Sequence, residues 1–474
     1  MILFDIAKKE SKEILREKRV WLLAIILILL SFVSMMVSLN YHHQLKQEAQ
    51  QAQEKARQQW ENQALKNPHS AAHEGTFVFK PTSALAFIDM GLDSYLGTSV
   101  FLEAHRQNDA QYKQIADQND LGRFSQLTFA FILIYLFPLF IILIGFGIFT
   151  QEKERNTLRI LIGQGVSFFH LALGKAFALW YVVVLFFIPL FVAGGILIFL
   201  FDAQNDIIFR YLILGLSLFL YYGIFIYTTV AVSAWSRSGN VSLVVLISFW
   251  IISALIIPKM ISVAAQSIYP TPSALVYQAQ LKEDLKKGID GHNPFSTMAQ
   301  QFKDSVLKAN QVDSVHQLPF NYSGLIMQAG EEHETLVYEN ATNRLYKRYQ
   351  EQINLYQNIS FISPTILMHL FSMQLCQTDL YAHRDFTQQA EKYRIDLVRQ
   401  LNYDLKDNST YQDWSYVPKD STFFKKTVTF SYQPLLLQQT NSTWFLPLLF
   451  LLIWSSMSAG IMIWTSNKIR VESR

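Results

Sequence analysis

Apolar residues in this chain are gathered into six long runs, and the segments between the runs are as polar as a soluble protein. A helix needs about 20 residues to cross a hydrocarbon core of about 30 Å, and each run reaches that length. The pattern therefore predicts six transmembrane helices, at residues 20–39, 127–149, 171–201, 211–235, 241–261 and 444–464. Because the third run is longer than a bilayer requires, we expect it to tilt, to break at Pro189 or at Gly194 and Gly195, or to extend past the lipid.

The positive charges near the ends of these runs predict the orientation of the chain. Lysine and arginine occur in residues 1–19, in the connector 150–170, at Arg237 and in the tail 465–474. With six spans, these four regions fall on one side, and the positive-inside rule makes that side cytoplasmic. The loop 202–206 is acidic and falls on the other side. We therefore expect a multi-pass protein of the bacterial inner membrane with both termini cytoplasmic, and an uncleaved first span.

Residues 1–19 have an amphipathic pattern, with one apolar and one basic face. Such a helix lies in the membrane interface, with its apolar face in lipid and its basic face near anionic headgroups. The sequence therefore predicts a cytoplasmic interfacial helix with a basic face formed by Lys8, Lys9, Lys12 and Arg16.

Two polar segments are long enough to form extracytoplasmic inserts. The first, 40–125, opens with a polar helical stretch at 44–64 and continues with short apolar runs broken by Pro81 and glycines. The second, 262–442, has the size of a domain. Helical patterns predict that it is mainly α, with helices at 273–287, 322–357 and 379–407 and another after the pair Ser363 and Pro364. The predicted fold class is thus an all-α polytopic membrane protein.

The connector 150–170 is longer and more charged than a link between two spans needs to be. Charged residues surround Leu158, Ile160 and Leu161, and Gly163 and Gly165 permit a sharp turn before an apolar stretch returns to the interface. An ordinary amphipathic linker and a docking site for a cytoplasmic motor both fit this pattern. The second interpretation explains the extra length.

Three runs of sequence carry a resemblance to a known family. The connector reads QEKERNTLRILIGQGVSFFHLALGK, which resembles the signature of ABC-2 type transporter permeases, the type V ABC exporters. The runs HEGTFVFKPTSALAFIDMGLDSYLGTSVFLEAHRQN and SPTILMHLFSMQLCQTDLYAHRDFTQQAEKYRIDLVRQLNYDL resemble a subgroup with large extracytoplasmic inserts of unassigned function. The resemblance implies that a separate ATPase subunit couples to the chain through Glu152, Glu154, Arg155, Asn156, Thr157, Gly163, Gly165, Val166, Ser167 and His170.

The chain departs from the family pattern at Asn156, where the family usually has glycine. Asparagine tolerates the left-handed conformation better than most residues, so we expect the turn to persist. The chain has no G-x-x-x-x-G-K-[ST] motif, so we expect it to bind no cofactor itself, with ATP and Mg²⁺ bound by the partner ATPase. Lys175, which follows Gly174, is interpreted as a snorkelling lysine at the interface.

Other function classes are disfavoured by composition and spacing. The span interiors hold essentially no ionisable residues, which argues against ion-coupled transport. A formal net charge of +3 without a basic-aromatic patch argues against nucleic-acid binding. The single cysteine, Cys376, excludes an intrachain disulfide. The histidines are scattered without a ligand spacing, so we interpret them as surface or packing residues and predict neither a metal site nor a catalytic site.

These observations predict the transmembrane permease subunit of an ATP-driven ABC exporter or extruder, not an enzyme. Its expected partners are ABC ATPase subunits, a second copy or a related permease, and membrane lipids. The alternative is a mechanotransmission or docking platform that remodels a periplasmic or outer-membrane protein without transmembrane flux. A membrane-anchored enzyme, the third class, requires a clustered polar site in the inserts.

Overall fold

The computed structural model describes residues 2–113, 128–201, 204–440 and 444–468. The ends of both predicted inserts, the start of the second predicted span, part of the loop 202–206 and the tail from residue 469 lie outside these ranges. The described helices are α1 Ile2–Arg16, α2 Lys18–Glu61, α3 Pro68–Glu74, α4 Asp93–Leu96, α5 Phe129–Glu154, α6 Thr157–Gly163, α7 Phe168–Phe201, α8 Asn205–Trp235, α9 Gly239–Ile268, α10 Ala274–Leu285, α11 Thr297–Asn310, α12 Tyr322–Ile359, α13 Pro364–Cys376, α14 Leu380–Asn408 and α15 Phe445–Asn467. The described strands are β1 Thr76–Phe79, β2 Ser99–Glu103 and β3 Arg106–Gln107.

Six of these helices are long and apolar enough to cross a membrane, namely α2, α5, α7, α8, α9 and α15. Each overlaps one of the six apolar runs predicted to span the membrane. The predicted all-α polytopic fold is therefore confirmed. Helix α7, which contains the longest run, continues through Pro189 without a break in its helical assignment.

Helix α8 lies at the centre of the spans, where it contacts α5, α7, α13 and α15. Helix α13 belongs to the second polar segment (residues 262–440), yet its residues Leu367, Met368 and Phe371 are part of the same hydrophobic core as the spans. This segment is therefore packed into the span bundle rather than attached to it by a linker.

Span α5 contains a π-helical turn, Ile132–Leu136, shortly before Pro138. Proline has no N–H, so a carbonyl in the preceding turn loses its helical partner. Tyr222 of α8 replaces that partner, because its hydroxyl donates to the carbonyl of Leu133 at 3.0 Å.

Span α9 has the same construction, with a π-helical turn at Ile252–Ile256 before Pro258. Here the hydroxyl of Ser363, at the start of α13, donates to the carbonyl of Ser253 at 2.8 Å. The backbone irregularity of this span is therefore stabilised by a residue of the second polar segment.

The first polar segment (residues 40–113) carries the sheet, which has the antiparallel order β1-β2-β3. Phe77 lies opposite Phe101 in the register. The inward-facing residues Val78, Val100 and Leu102 pack with Phe386 of α14. The two polar segments thus share a core.

Helix α2 joins the first span to this shared body without interruption. Its 44 residues correspond to about 66 Å of helix at 1.5 Å per residue. At its far end, the indole N–H of Trp60 donates to Thr427 Oγ1 at 2.9 Å. The Arg57 guanidinium donates to the carbonyls of Lys425 and Thr427 at 3.1 and 3.0 Å. One helix therefore connects the membrane part to the second polar segment.

Candidate coupling site

A buried lysine lies where the third span begins. The Lys175 side chain is completely buried, and its Nζ lies 2.9 Å from Glu10 Oε2 and 3.0 Å from Glu152 Oε1. Its Nζ also lies 5.1 Å from the ring centre of Phe149. A buried charge is stable only when it is paired, so these ion pairs join α1, α5 and α7 at one point. The interpretation of Lys175 as a snorkelling lysine is therefore wrong.

Lys9 completes this group of charges. Its Nζ lies 3.2 Å from Glu10 and 3.7 Å from Glu152, and half of its side chain is exposed. We call Lys9, Glu10, Glu152 and Lys175 the charge cluster. Two cations and two carboxylates balance, so the cluster carries no net formal charge.

Helix α1 lies against the start of α7. The residues Lys8, Lys12 and Arg16 of its predicted basic face are exposed, whereas the opposite side faces α7. A close approach at Gly174 permits this packing, because a Cβ there would lie 2.5 Å from Ile6 Cγ2. Glycine is therefore required at this crossing unless α1 moves.

Glu10 is the member of the charge cluster that the sequence pattern missed. It is one of the buried residues of α1, a position at which an amphipathic helix would normally have an apolar side chain. The sequence does contain a signal for Glu10, since it is an acidic residue on the apolar side of an otherwise basic interfacial helix.

The connector between α5 and α7 turns twice through left-handed backbone. Asn156 has φ 60° and ψ 10°, the conformation expected from its replacement of glycine. Gly165 has φ 84° and ends the second turn. Ser167 then begins α7, because its Oγ accepts from the backbone N–H of His170 at 3.3 Å and lies 2.6 Å from His170 Nδ1.

The end of α5 is bonded to the loop between α8 and α9. Glu154 Oε1 accepts from the backbone N–H of Gly239, the first residue of α9, at 2.9 Å. Lys153 donates to the carbonyl of Ser236 at 2.9 Å and also to that of Ala234. The acid at the start of one helix and the base at the end of another both complement the helix dipoles.

One face of the connector remains exposed. Ile160 and Phe169 are large apolar side chains with exposed fractions of 61% and 40%, whereas Val166 is partly buried. The predicted coupling residues on this face are Glu154, Arg155, Asn156, Thr157, Gly163, Gly165, Ser167 and His170. Glu152 is separate from them, because it lies inward in the charge cluster. Exposed apolar side chains among charged ones are typical of a protein-binding surface.

A second group of polar residues lies in the two polar segments. His69, His73, His105 and His292 come together there, with their candidate ligand atoms all within 4.8 Å of one another. His69 and His73 lie four residues apart on α3, whereas His105 and His292 come from distant parts of the sequence. The interpretation of the histidines as scattered does not describe these four.

Comparison with known families agrees with this architecture. The model of the family described as ABC-2 family transporter protein matches residues 97–254, which include α5, the connector, α7, α8 and the first half of α9. A model described as a domain of unknown function (DUF3526) matches residues 274–433, which include α10 to α14. Among curated proteins, none matches this chain.

Six apolar helices long enough to cross a membrane indicate a multi-pass membrane protein. The predicted resemblance to ABC-2 type transporter permeases is confirmed over residues 97–254. This match supports a permease subunit of an ABC transporter.

Proposed function

We propose that a separate ABC ATPase drives this permease by docking on the exposed face of the connector. The observation that carries the proposal is the charge cluster. Because Glu152 of α5 pairs with Lys175 of α7, and Lys175 pairs with Glu10 of α1, a force on the connector reaches all three helices. The family supports an ATPase partner, which would bind the ATP and Mg²⁺, and a non-catalytic role for this chain.

The proposed mechanism is conformational. ATP binding brings two ATPase subunits together, and each pulls on the connector of one permease. The ion pairs of Lys175 carry the movement to α1 and α7, and the spans rearrange at an interface between two permeases, either identical or related. The lysines and arginines near the span ends support a cytoplasmic position for the connector and both termini, in a bacterial inner membrane.

Ile160→Glu tests ATPase docking without touching the charge cluster. The Ile160 side chain is 61% exposed, so the substitution leaves the internal packing intact. We expect the variant to insert into membranes normally but to lose the ATPase subunit and ATP hydrolysis of the co-purified complex. Leu336→Glu is the matched control, since Leu336 is an apolar side chain of α12 with an exposed fraction of 58%. Normal ATPase content in the Ile160→Glu complex would contradict the docking face.

Glu154→Lys is a second substitution on the same face. It replaces an acid at the start of α9 with a base, which reverses a favourable helix-dipole interaction of about 0.3–1 kcal/mol. We expect ATPase association to be lost and membrane insertion to be kept. An ATPase that co-purifies normally with this variant would count against the role of the connector.

The continuous helix α2 favours a second candidate function, mechanical transmission to a periplasmic or outer-membrane partner. A rod of about 66 Å bonded to the second polar segment would carry movement out of the membrane without a substrate path through it. Reconstitution into liposomes separates the two functions. ATP hydrolysis that the partner stimulates, without flux of any candidate substrate, would contradict the exporter function. ATP-dependent flux of a substrate would contradict mechanical transmission.

A further inference from the structure

The four histidines of the polar segments, which we call the histidine cluster, point their Nε2 atoms at one another. His73 Nε2 lies 3.1 Å from His69 Nε2, and His292 Nε2 lies 3.0 Å from His105 Nε2. The ring centres of the four residues lie 4.7 to 5.4 Å apart. Rings that pack only as apolar groups would place carbon edges and faces in contact rather than their nitrogens.

The distances between the four histidine nitrogens are close to those around a single bound metal ion. Four nitrogens at about 2.0–2.1 Å from a tetrahedral Zn²⁺ lie about 3.3 Å from one another. In the histidine cluster all four ligand atoms lie within 4.8 Å of one another, and two pairs are already at 3.0 and 3.1 Å. Side-chain movements of about 1 Å would complete the tetrahedron.

Hydrogen bonds at the Nδ1 atoms orient two of the histidines, His69 and His105. His69 Nδ1 lies 3.0 Å from Asn402 Oδ1, and the amide of Asn402 is oriented by donating to Gln328 Oε1 at 3.2 Å. Asn402 is completely buried. The Nδ1–H of His69 therefore donates to Asn402, which leaves the Nε2 lone pair facing the cluster.

Carboxylates contact His105 on the Nδ1 side of its ring, opposite the Nε2 atom that faces the cluster. Its Nδ1 lies 2.7 Å from Glu334 Oε2 and 3.2 Å from Glu331 Oε1. Glu331 is fixed in turn by Arg394, whose guanidinium lies 3.0 Å away. A carboxylate on the far nitrogen of a ligating histidine fixes its tautomer and makes it a stronger donor, as in carboxylate–histidine–zinc arrangements.

The backbone also holds the ligands in place. His69 and His73 lie one turn apart on α3, which begins with Asn67 as its N-cap. His105 has φ 62°, a left-handed conformation that costs strain in a residue other than glycine or asparagine. The loop of His292 lies tightly on α12, because a Cβ at Gly330 would be 2.8 Å from the backbone nitrogen of Gly291.

We propose that the histidine cluster binds one divalent transition-metal ion, with Zn²⁺ as the ion that four imidazoles in this arrangement suit best. Three ligands come from the first polar segment and His292 comes from the second. The ion therefore acts as a structural link between the two polar segments. Exposure of His73 and His292 leaves a path for the ion from solvent. The proposal of this metal site does not rest on the proposed ATPase coupling.

Metal analysis of the full-length protein tests the proposal. The permease is purified in detergent with an affinity tag that contains no histidine, stripped with EDTA, incubated with Zn²⁺ and desalted. We expect one zinc per chain in the parent protein and less than about a tenth of that in His73→Gln and His292→Gln. Both side chains are exposed, so the variants should fold, and size-exclusion chromatography verifies it. His316→Gln, an exposed histidine elsewhere in the second polar segment, is the matched control.

Two further measurements distinguish a specific zinc site from nonspecific zinc binding. Glu334→Gln should weaken zinc affinity about 10- to 100-fold in a chelator competition, because it removes the carboxylate behind His105. Co²⁺ in the same site should give the intense visible absorption of a tetrahedral ion. Zinc content that is equal in the parent, His73→Gln and His292→Gln, zinc content no higher than background, or an octahedral Co²⁺ spectrum would each overturn the proposal.

Discussion

Replacement of Lys175 by methionine should detach α1 from the spans. Methionine keeps much of the volume but removes the positive charge that Glu10 and Glu152 share at 2.9 and 3.0 Å. Removing one partner of a buried ion pair costs about 3–5 kcal/mol, because the remaining charge stays in an apolar environment. Release of α1 would return Glu10 to water. Since 1.36 kcal/mol corresponds to a factor of ten, hydrogen exchange of the α1 amides should accelerate between about 10²-fold and about 5 × 10³-fold.

Lys9→Met is the matched control, because Lys9 contacts the same two carboxylates from a half-exposed position. An exposed ion pair contributes about 0–1 kcal/mol, so its loss should accelerate exchange by less than about tenfold. Glu10→Gln in the Lys175→Met background should restore part of the protection, since it removes the charge left behind. Equal acceleration in the two lysine variants, or unchanged protection in Lys175→Met, would refute the view that buried charge pairing holds α1.

Three further predictions follow from packing, burial and hydrogen bonding. Gly174→Val should destabilise the α1 crossing by about 1–3 kcal/mol, seen as faster hydrogen exchange in α1, because its side chain would overlap Ile6. Burial lowers the pKa of His383 to about 4, so the unfolded chain binds its proton between pH 4 and 6.5 while the folded chain does not. Stability should therefore rise by about 3 kcal/mol as pH increases across that window, and His383→Leu should flatten the rise in denaturant titrations at each pH, whereas the control His316→Leu should not. Arg57→Ala should speed amide exchange in residues 425–428 without affecting the spans, since it removes two hydrogen bonds to carbonyls there; unchanged exchange would contradict the role of α2 as a connection.

The spans and the helix starts were predictable because their causes are local. Lipid requires long apolar runs, so hydropathy finds the spans. The pair Ser363 and Pro364 begins α13 as predicted, with Ser363 Oγ accepting from the N–H of Ile366 at 3.3 Å. Asp379 caps α14 in the same way. Helix α11 was missed because it is mostly polar and exposed, with Ala299 as its buried residue.

The candidate sites could not be predicted in the same way because their partners are distant in sequence. Lys175 resembles any lysine at a span end until Glu10 and Glu152 lie beside it. The histidine cluster combines α3, the turn before β3 and the loop after α10. The spacing of His69 and His73 places only these two on one side of α3, and the approach of His105 and His292 depends on how the two polar segments pack. The coupling role of the exposed part of the connector, by contrast, is a prediction from a local motif and its resemblance to the family.

Helix α2 lies along the chain between Glu10 of the charge cluster and His69 of the histidine cluster. The charge cluster fixes α1 to α7, and α1 is followed after Glu17 by α2, which reaches the second polar segment at Thr427. Helix α3, which carries His69 and His73, comes next along the chain. A link at the histidine cluster would keep α3 from sliding over α12 and α14 when α2 moves. Under the proposed coupling, movement of the connector would reach the polar segments through α2, and the proposed metal ion would hold those two segments together.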